Sequence, residues 1–350
     1  MAGRPSGVSR SPAPADSPGL AQAAAAGIHR LSIPTPFLVG RVNCWLVEDE
    51  PLTLIDTGPN SGSALDELER GLAEHGRAIE DLGLIVLTHQ HLDHVGLLEI
   101  LVRRSGAEVA AFHGLGPYLE DFPHSATADD EFSHAIMRRH GVPEDLSTAL
   151  TSVGAAFRGF GSRATVTQPL RDGDSVVLRD RALTVLHRPG HSPSDTLFWD
   201  ERRRILIAGD HLLAHISSNP LVSRPLTGPT PSSGRAHALI QYIESMRATR
   251  ELPARVVLTG HGDPVADPVA LIDERLRMHQ RRARKILRML SRGPSTAYEI
   301  ALRIWGNVAV AQAYLTLSEV LGHLDLLVAA GEAHEREDRD SVRFEAAPRR

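Results

Sequence analysis

Thr88-His89-Gln90-His91-Leu92-Asp93-His94 is the stretch on which the fold turns. It follows Leu84-Ile85-Val86-Leu87, an apolar run that reads as a buried strand. Three imidazoles and one carboxylate therefore crowd the exit of a strand, a rigid platform for ligands. Imidazole nitrogen and carboxylate oxygen are zinc-type donors. In extended chain alternate residues face the same way, so His89 and His91 can serve one ion. Asp93 and His94 stand where the chain enters a helical pattern over 95–104, and they can serve a second.

A solvated histidine run predicts nothing downstream. Here three more apolar runs end in ligand-type residues. Leu183-Thr184-Val185-Leu186 leads to Pro189-Gly190-His191, Ile205-Leu206-Ile207-Ala208 to Gly209-Asp210, and Val256-Val257-Leu258 to Thr259-Gly260-His261. Taken singly, each reads as a hydrogen-bonded loop residue. Together the four strand ends deliver five His and two Asp, a set that suits two metal ions sharing one carboxylate.

These motifs resemble the metallo-β-lactamase superfamily. Its pattern is HxHxDH after one strand, then a His in a PGH turn, an Asp in a GD turn and a His in a GH turn. Asp56-Thr57-Gly58, upstream, matches as well. The resemblance implies a four-layered αβ/βα sandwich from about residue 28. It implies that His89, His91 and His191 hold one metal, that Asp93, His94 and His261 hold the other, and that Asp210 bridges. His91 stands where diiron flavoprotein relatives have Glu. That favours two zinc ions and hydrolysis over oxygen chemistry, with iron or manganese as the alternative metals.

The chain has 350 residues, 42% hydrophobic and 23% charged, ordinary for a globular protein with one large core and a small appended unit. A single cysteine, Cys44, excludes an intrachain disulfide framework and reads as a small core residue. No apolar stretch approaches the ~18 residues of a membrane span. With a formal net charge of −5, nothing global attracts nucleic acid. Residues 1–27, rich in Pro, Ser, Ala and Gly, read as disordered and too weakly hydrophobic for a signal peptide, so the expected location is cytoplasmic.

Beyond that, strands are predicted at 28–33, 42–47, 52–55, 84–87, 108–112, 164–167, 175–178, 182–186, 196–199, 205–208 and 256–258. Helices are predicted at 63–74, 95–104 and 236–248. Periodicity alone gives an α/β or α+β hydrolase domain over 28–267. The segment 114–161 breaks this rhythm and reads as a pocket lid, with His113, His124, His134 and His140 as lid or surface residues. Residues 268–350 read as helices at 271–290, 294–304 and 311–330 followed by a hairpin, a winged-helix-like unit. Such a tail resembles the β-lactamase-like ribonuclease subgroup and related thioesterases. Its would-be wing carries Glu332, Glu335, Glu337, Asp338 and Asp340, which repel phosphates and disfavour nucleic acid. The Leu stripe of 311–330, with Leu315, Leu321, Leu324 and Leu327, needs an apolar partner, either the hydrolase domain or a second subunit of a homodimer.

The expected chemistry is attack by a metal-bound hydroxide on a small ester, thioester or lactone, free or carrier-linked. Asp93 would carry the proton and Asp210 would join the ions. Asp56 would orient a ligand histidine. The loop after Asp210 passes the metals, which makes His215, Ser217 and Asn219 candidate substrate contacts. An RNA endonuclease and an iron-dependent persulfide dioxygenase are the alternatives for the same ligands.

Overall fold

The computed structural model describes residues 17–227, 234–338 and 341–348. Residues 1–16, part of the segment expected to be disordered, lie outside this range. The remainder of that expectation is corrected. Ser17 accepts the Leu20 amide and caps a helix, α1 (Pro18–Ala25), with proline in its first turn. Its small residues let it lie flat on the core: Ala23 is buried, and a Cβ on Gly19 would come within 2.9 Å of Pro264.

The first sheet contains β1 (Ile28–Ile33), β2 (Val42–Val47), β3 (Thr53–Ile55), β4 (Leu84–Val86), β5 (Glu108–Phe112) and β6 (Gln168–Leu170), adjacent in that order. The β1–β2 and β2–β3 pairs are antiparallel, and the pairs from β3 to β6 are parallel. The strand expected at 164–167 begins later because the Thr167 hydroxyl accepts the Val109 amide, in place of a ladder bond. The second sheet contains β7 (Ser175–Val177), β8 (Ala182–His187), β9 (Thr196–Asp200), β10 (Ile205–Gly209) and β11 (Val256–Thr259), also adjacent in order. Only its β10–β11 pair is parallel.

The helices are α2 (Gly62–Glu74), α3 (Leu92–Val95), α4 (Leu98–Ser105), α5 (Leu115–Glu120), α6 (Phe122–Arg139), α7 (Glu144–Phe157), α8 (Ala238–Arg250), α9 (Pro268–Leu290), α10 (Ala297–Trp305), α11 (Val308–Ala311) and α12 (Ala313–Ala329). The helix expected over 95–104 is split in two at Gly96, which passes against the backbone of Pro59, Asn60 and Phe160 with no room for a Cβ.

Alternation along the strands builds the layers. Trp45, Ile55 and Val86 meet Val185, Phe198, Ile207 and Leu258 between the two sheets. Their neighbours Leu46, Leu54 and Ile85 face the other way, onto Leu68 and Leu72 of α2 and Leu101 of α4. Leu197, Leu206 and Val257 likewise turn outward to Leu239 and Met246 of α8 and Ile272 of α9. The result is four layers, α/β/β/α. Strands covered on both faces explain the near-continuous apolar runs in the sequence.

The tail is helical and ends in an antiparallel hairpin, β12 (Ala333–Asp338) and β13 (Ser341–Ala346). A capping box of Thr296 and Glu299 starts α10. Leu321, Leu324 and Leu327 of α12 are buried, in one cluster with Ile136 and Met137 of α6, whereas Leu315 is 41% exposed and leaves the expected stripe. His140, expected on a lid or surface, is buried and stacked on Phe344 of the hairpin.

Candidate metal centre

His89, His91, Asp93, His94, His191, Asp210 and His261 converge at one end of the two facing sheets. The donor atoms of three overlapping triads lie within 4.8 Å of one another: His89/His91/His191, His89/His94/Asp210 and Asp93/His94/His261. His89 Nε2 and His191 Nε2 approach His91 Nδ1 at 3.0 and 3.1 Å. His261 Nε2 lies 3.3 Å from Asp93 Oδ2 and 3.4 Å from Asp210 Oδ2. His94 Nε2 is 3.6 Å from Asp210 Oδ1, and His191 Nε2 is 3.7 Å from Asp210 Oδ2. Asp210 thus stands between the two outer triads.

The far side of each ring decides which nitrogen faces the centre. Thr88 Oγ1 donates to Asp56 Oδ2 at 2.8 Å and so accepts from His89 Nδ1 at 3.0 Å. His94 Nδ1 donates to Asp56 Oδ2 at 2.8 Å. His191 Nδ1 donates to the Asn219 carbonyl at 3.1 Å, and His261 Nδ1 to the Arg41 carbonyl at 2.8 Å. These four rings turn a bare Nε2 inward. Among the described side chains, His94 Nε2, His261 Nε2 and Asp210 Oδ1 are buried without a hydrogen-bond partner. Buried polar atoms seldom go unpaired, and a shared cation satisfies all three.

Electrostatics points the same way. Burial pushes His89 well down and His91 to about 3, so both stay neutral and open to an ion. At His94 burial opposes charge, but the Asp56, Asp210 and Asp93 carboxylates outweigh it and raise the ring to about 9. At His261 burial is likewise outweighed by Asp210 and Asp93, which raise it to about 11. Burial is outweighed at Asp210 too, where His261 and His94 hold the carboxyl well below its ordinary range. This half of the centre calls for positive charge, which a divalent cation would supply.

The turns that carry the ligands need glycine. Gly209 has φ +48° and lies where a Cβ would be 2.6 Å from Thr88 Oγ1, while a Cβ on Gly260 would collide with Asp210 Oδ1. Several positioning groups lie outside the motifs. Asn43 Nδ2 ties β2 to the last ligand turn, donating to the carbonyls of Thr259 at 3.0 Å and Gly262 at 2.8 Å. On α8, Tyr242 donates to the His211 carbonyl at 2.6 Å and Ser245 to the Pro189 carbonyl at 2.7 Å. One helix thereby holds two ligand turns. Asn43 and Tyr242 gave no sequence signal, since neither belongs to a ligand pattern.

The expected substrate contacts are arranged differently. The His215 side chain is 76% exposed and 3.9 Å from Asp263 Oδ2. Ser217 Oγ bonds only the neighbouring Ser218 carbonyl, at 3.5 Å. The Asn219 side-chain amide donates to the Leu315 carbonyl at 3.0 Å, and its backbone carbonyl accepts from His191.

The family model of the metallo-beta-lactamase superfamily matches residues 38–261. The chain belongs to this superfamily. Over 299 residues it is 33% identical to the probable metallo-hydrolase YqjP of Bacillus subtilis (strain 168), which covers 85% of this chain and 91% of that protein. A metallo-beta-lactamase family protein of known structure from Thermus thermophilus superposes with TM-score 0.76 and 27% identity, covering 91% of this chain and 98% of that one. The human acyl-coenzyme A thioesterase MBLAC2 is 34% identical over 179 residues, 49% of this chain and 58% of that protein. The superfamily member described here is a metal-dependent hydrolase. No helix among its described residues is long and apolar enough to cross a membrane.

Proposed function

We propose that the chain hydrolyses a small or carrier-linked acyl thioester at a centre of two zinc-type ions. The observation that carries this reading is the pair of outer triads, His89/His91/His191 and Asp93/His94/His261, with Asp210 between them. The orphaned His94, His261 and Asp210 atoms fit such ions. When bound, they supply Lewis acidity, polarising a carbonyl and bringing the pKa of water towards neutrality.

The chain's own residues do the rest. Asp93 is held ionised: burial is outweighed by His94 and His261. At 7% exposure it stands at the rim of the cluster, placed to take a proton from attacking water and return it to the leaving thiolate. Phe37, Phe157 and Phe160 pack with ring centroids 5.6–6.0 Å apart. They are half-buried, and Leu38 beside them is 90% exposed. Residues 158–160 pack on α3, which carries Asp93 and His94, so this apolar wall suits an acyl chain next to the ions. The likeness to an acyl-coenzyme A thioesterase supports the thioester class.

The test is a chromogenic acyl thioester and single-stranded RNA offered to the same preparation, with metal content measured. Metal-dependent thioester turnover, lost in His89→Ala and in His261→Ala, with RNA left intact, is expected. RNA cleavage that disappears in His261→Ala would establish an endonuclease instead. Iron as the bound metal, with oxygen-dependent turnover of a persulfide, would move the chemistry to a dioxygenase.

A further inference from the structure

We propose a second, structural divalent-metal site, formed by His279 of α9 with Glu319 and His323 of α12. These three residues lie outside the centre described above. Their donor atoms fall within 4.8 Å of one another, and all three are buried. They stand between two helices beside an apolar cluster that includes Ile286, Leu317, Leu321 and Leu324. Three polar side chains in such an interface are costly unless something compensates them.

His323 is oriented as rings of the main centre are. His323 Nδ1 donates to the Glu319 carbonyl at 2.6 Å, as His191 and His261 donate to backbone carbonyls. Metal-binding imidazoles are commonly oriented this way. The bond fixes the tautomer and turns the bare His323 Nε2 towards His279 Nδ1, 3.2 Å away. That separation matches the 3.0 and 3.1 Å between the ring nitrogens of the His89/His91/His191 triad. The Glu319 carboxylate adds the oxygen donor, within 4.8 Å of a nitrogen of each ring. Glu319 and His323 are four residues apart on one face of α12, and His279 closes the site from α9. Two imidazoles and a carboxylate suit zinc or a similar first-row ion, with water as a fourth ligand reaching in beside Glu319, the most accessible of the three.

Arg282 pairs with Glu319 Oε1 and is the residue an ion would have to displace. Its side chain is 30% exposed and can turn to solvent, and its guanidinium already lies 5.4 Å from the Trp305 ring, a partner besides Glu319. The ion would pin the first long helix of the tail, α9, to α12 and stiffen the tail itself.

The experiment uses the full chain, stripped with a chelator and titrated with zinc. Mass spectrometry should show three tight ions per chain in the wild type, the ligand count of one two-metal centre plus this site. His279→Ala/His323→Ala should hold two. Glu319→Gln, which keeps the side chain's volume, should weaken one of the three if the double variant folds poorly. With His89 and His261 both replaced by Ala to disable the main centre, zinc at a hundredfold over its Kd should still raise the thermal midpoint by about 5 °C. Two ions in the wild type overturn the proposal. So does a third ion retained in His279→Ala/His323→Ala, which would then belong elsewhere, for example to the more exposed His29/Glu48/His75 group.

Discussion

Asp56 is a buried residue with φ +61°, and its carboxylate accepts three bonds. Oδ1 takes the Thr88 amide at 2.8 Å; Oδ2 takes Thr88 Oγ1 and His94 Nδ1, each at 2.8 Å. Asp56→Asn isolates this function, since asparagine tolerates the same left-handed backbone and has the same shape. Its carbonyl must face the Thr88 amide, because an NH2 there would oppose an N–H. The NH2 then occupies the Oδ2 position and points at His94 Nδ1. To accept from it, His94 must move its proton to Nε2, where it faces Asp210 and blocks the lone pair needed for an ion. Loss of such an orienting bond typically costs 10–100-fold in metal affinity, about 1.4–2.8 kcal/mol.

The loss should fall on one half of the centre. Thr88 Oγ1 loses its bond to Oδ2 but has lone pairs for both the new NH2 and His89 Nδ1–H, so the His89/His91/His191 triad keeps its donors, and zinc titration of Asp56→Asn should retain one tight main-centre ion and weaken the other. Thioester turnover should fall in parallel and recover in part at saturating zinc. Wild-type zinc affinity with full turnover in Asp56→Asn would refute the argument that Asp56 sets the His94 tautomer.

Gly260→Ala places a methyl against Asp210, and turnover should collapse although a methyl on a turn would ordinarily be tolerated; wild-type kinetics would contradict the close packing. Tyr242→Phe removes a hydroxyl that holds the His211 carbonyl, and about 1 kcal/mol should be lost, read by chemical denaturation. His140 is buried and held at about 3, burial being the main cause with Arg235 adding to it. Its neutral form is favoured by folding, so below its unfolded pKa near 6.5 the unfolded chain binds the extra proton. The unfolding free energy should therefore fall as pH drops from about 6.5 towards 3, by up to about 1.4 kcal/mol per pH unit for this group, read as a falling thermal midpoint, and His140→Phe should flatten the profile. Deleting residues 268–350 uncovers Leu239 and Met246 of α8, and aggregation measured by light scattering is expected; a soluble, active truncation would show that the tail is dispensable.

The ligands were legible because each stands just after an apolar run, where a strand ends and the chain must turn. The four-layer arrangement came from the resemblance, since alternation within fully buried strands leaves no polar face to read. Groups that hold the ligands were less visible. Tyr242 and Ser245 lie on one turn of an ordinary helix, and their bonds to the His211 and Pro189 carbonyls, with the approach of Gly190 to Tyr242, reveal their role. The position of Asn219 after Asp210 brings it to the centre, but sequence position does not give the direction of its side chain, which bonds the Leu315 carbonyl. The burial of His140, expected on a lid or surface, is not legible because its partner, Phe344, lies 204 residues away in the hairpin. Helix α1 was missed because small residues pack by close approach and leave no hydrophobic period.

The same contacts explain why a helical tail accompanies this centre. Gly322 of α12 lets the helix settle on Leu239 of α8, where a Cβ would come within 2.6 Å of the leucine side chain. Arg235 and Asp325, both buried, pair at 2.5 Å and join the approach to α8 with α12. Burying such a pair adds little net stability, yet leaving either charge alone would cost about 3–5 kcal/mol, so it favours one docking geometry over others. Helix α8, held in that position, carries Tyr242 and Ser245 to the turns of His191 and Asp210. A second route runs from the Leu315 carbonyl through Asn219 to His191 itself. Both routes end on residues of the candidate metal centre. The tail thus acts on that centre through packing.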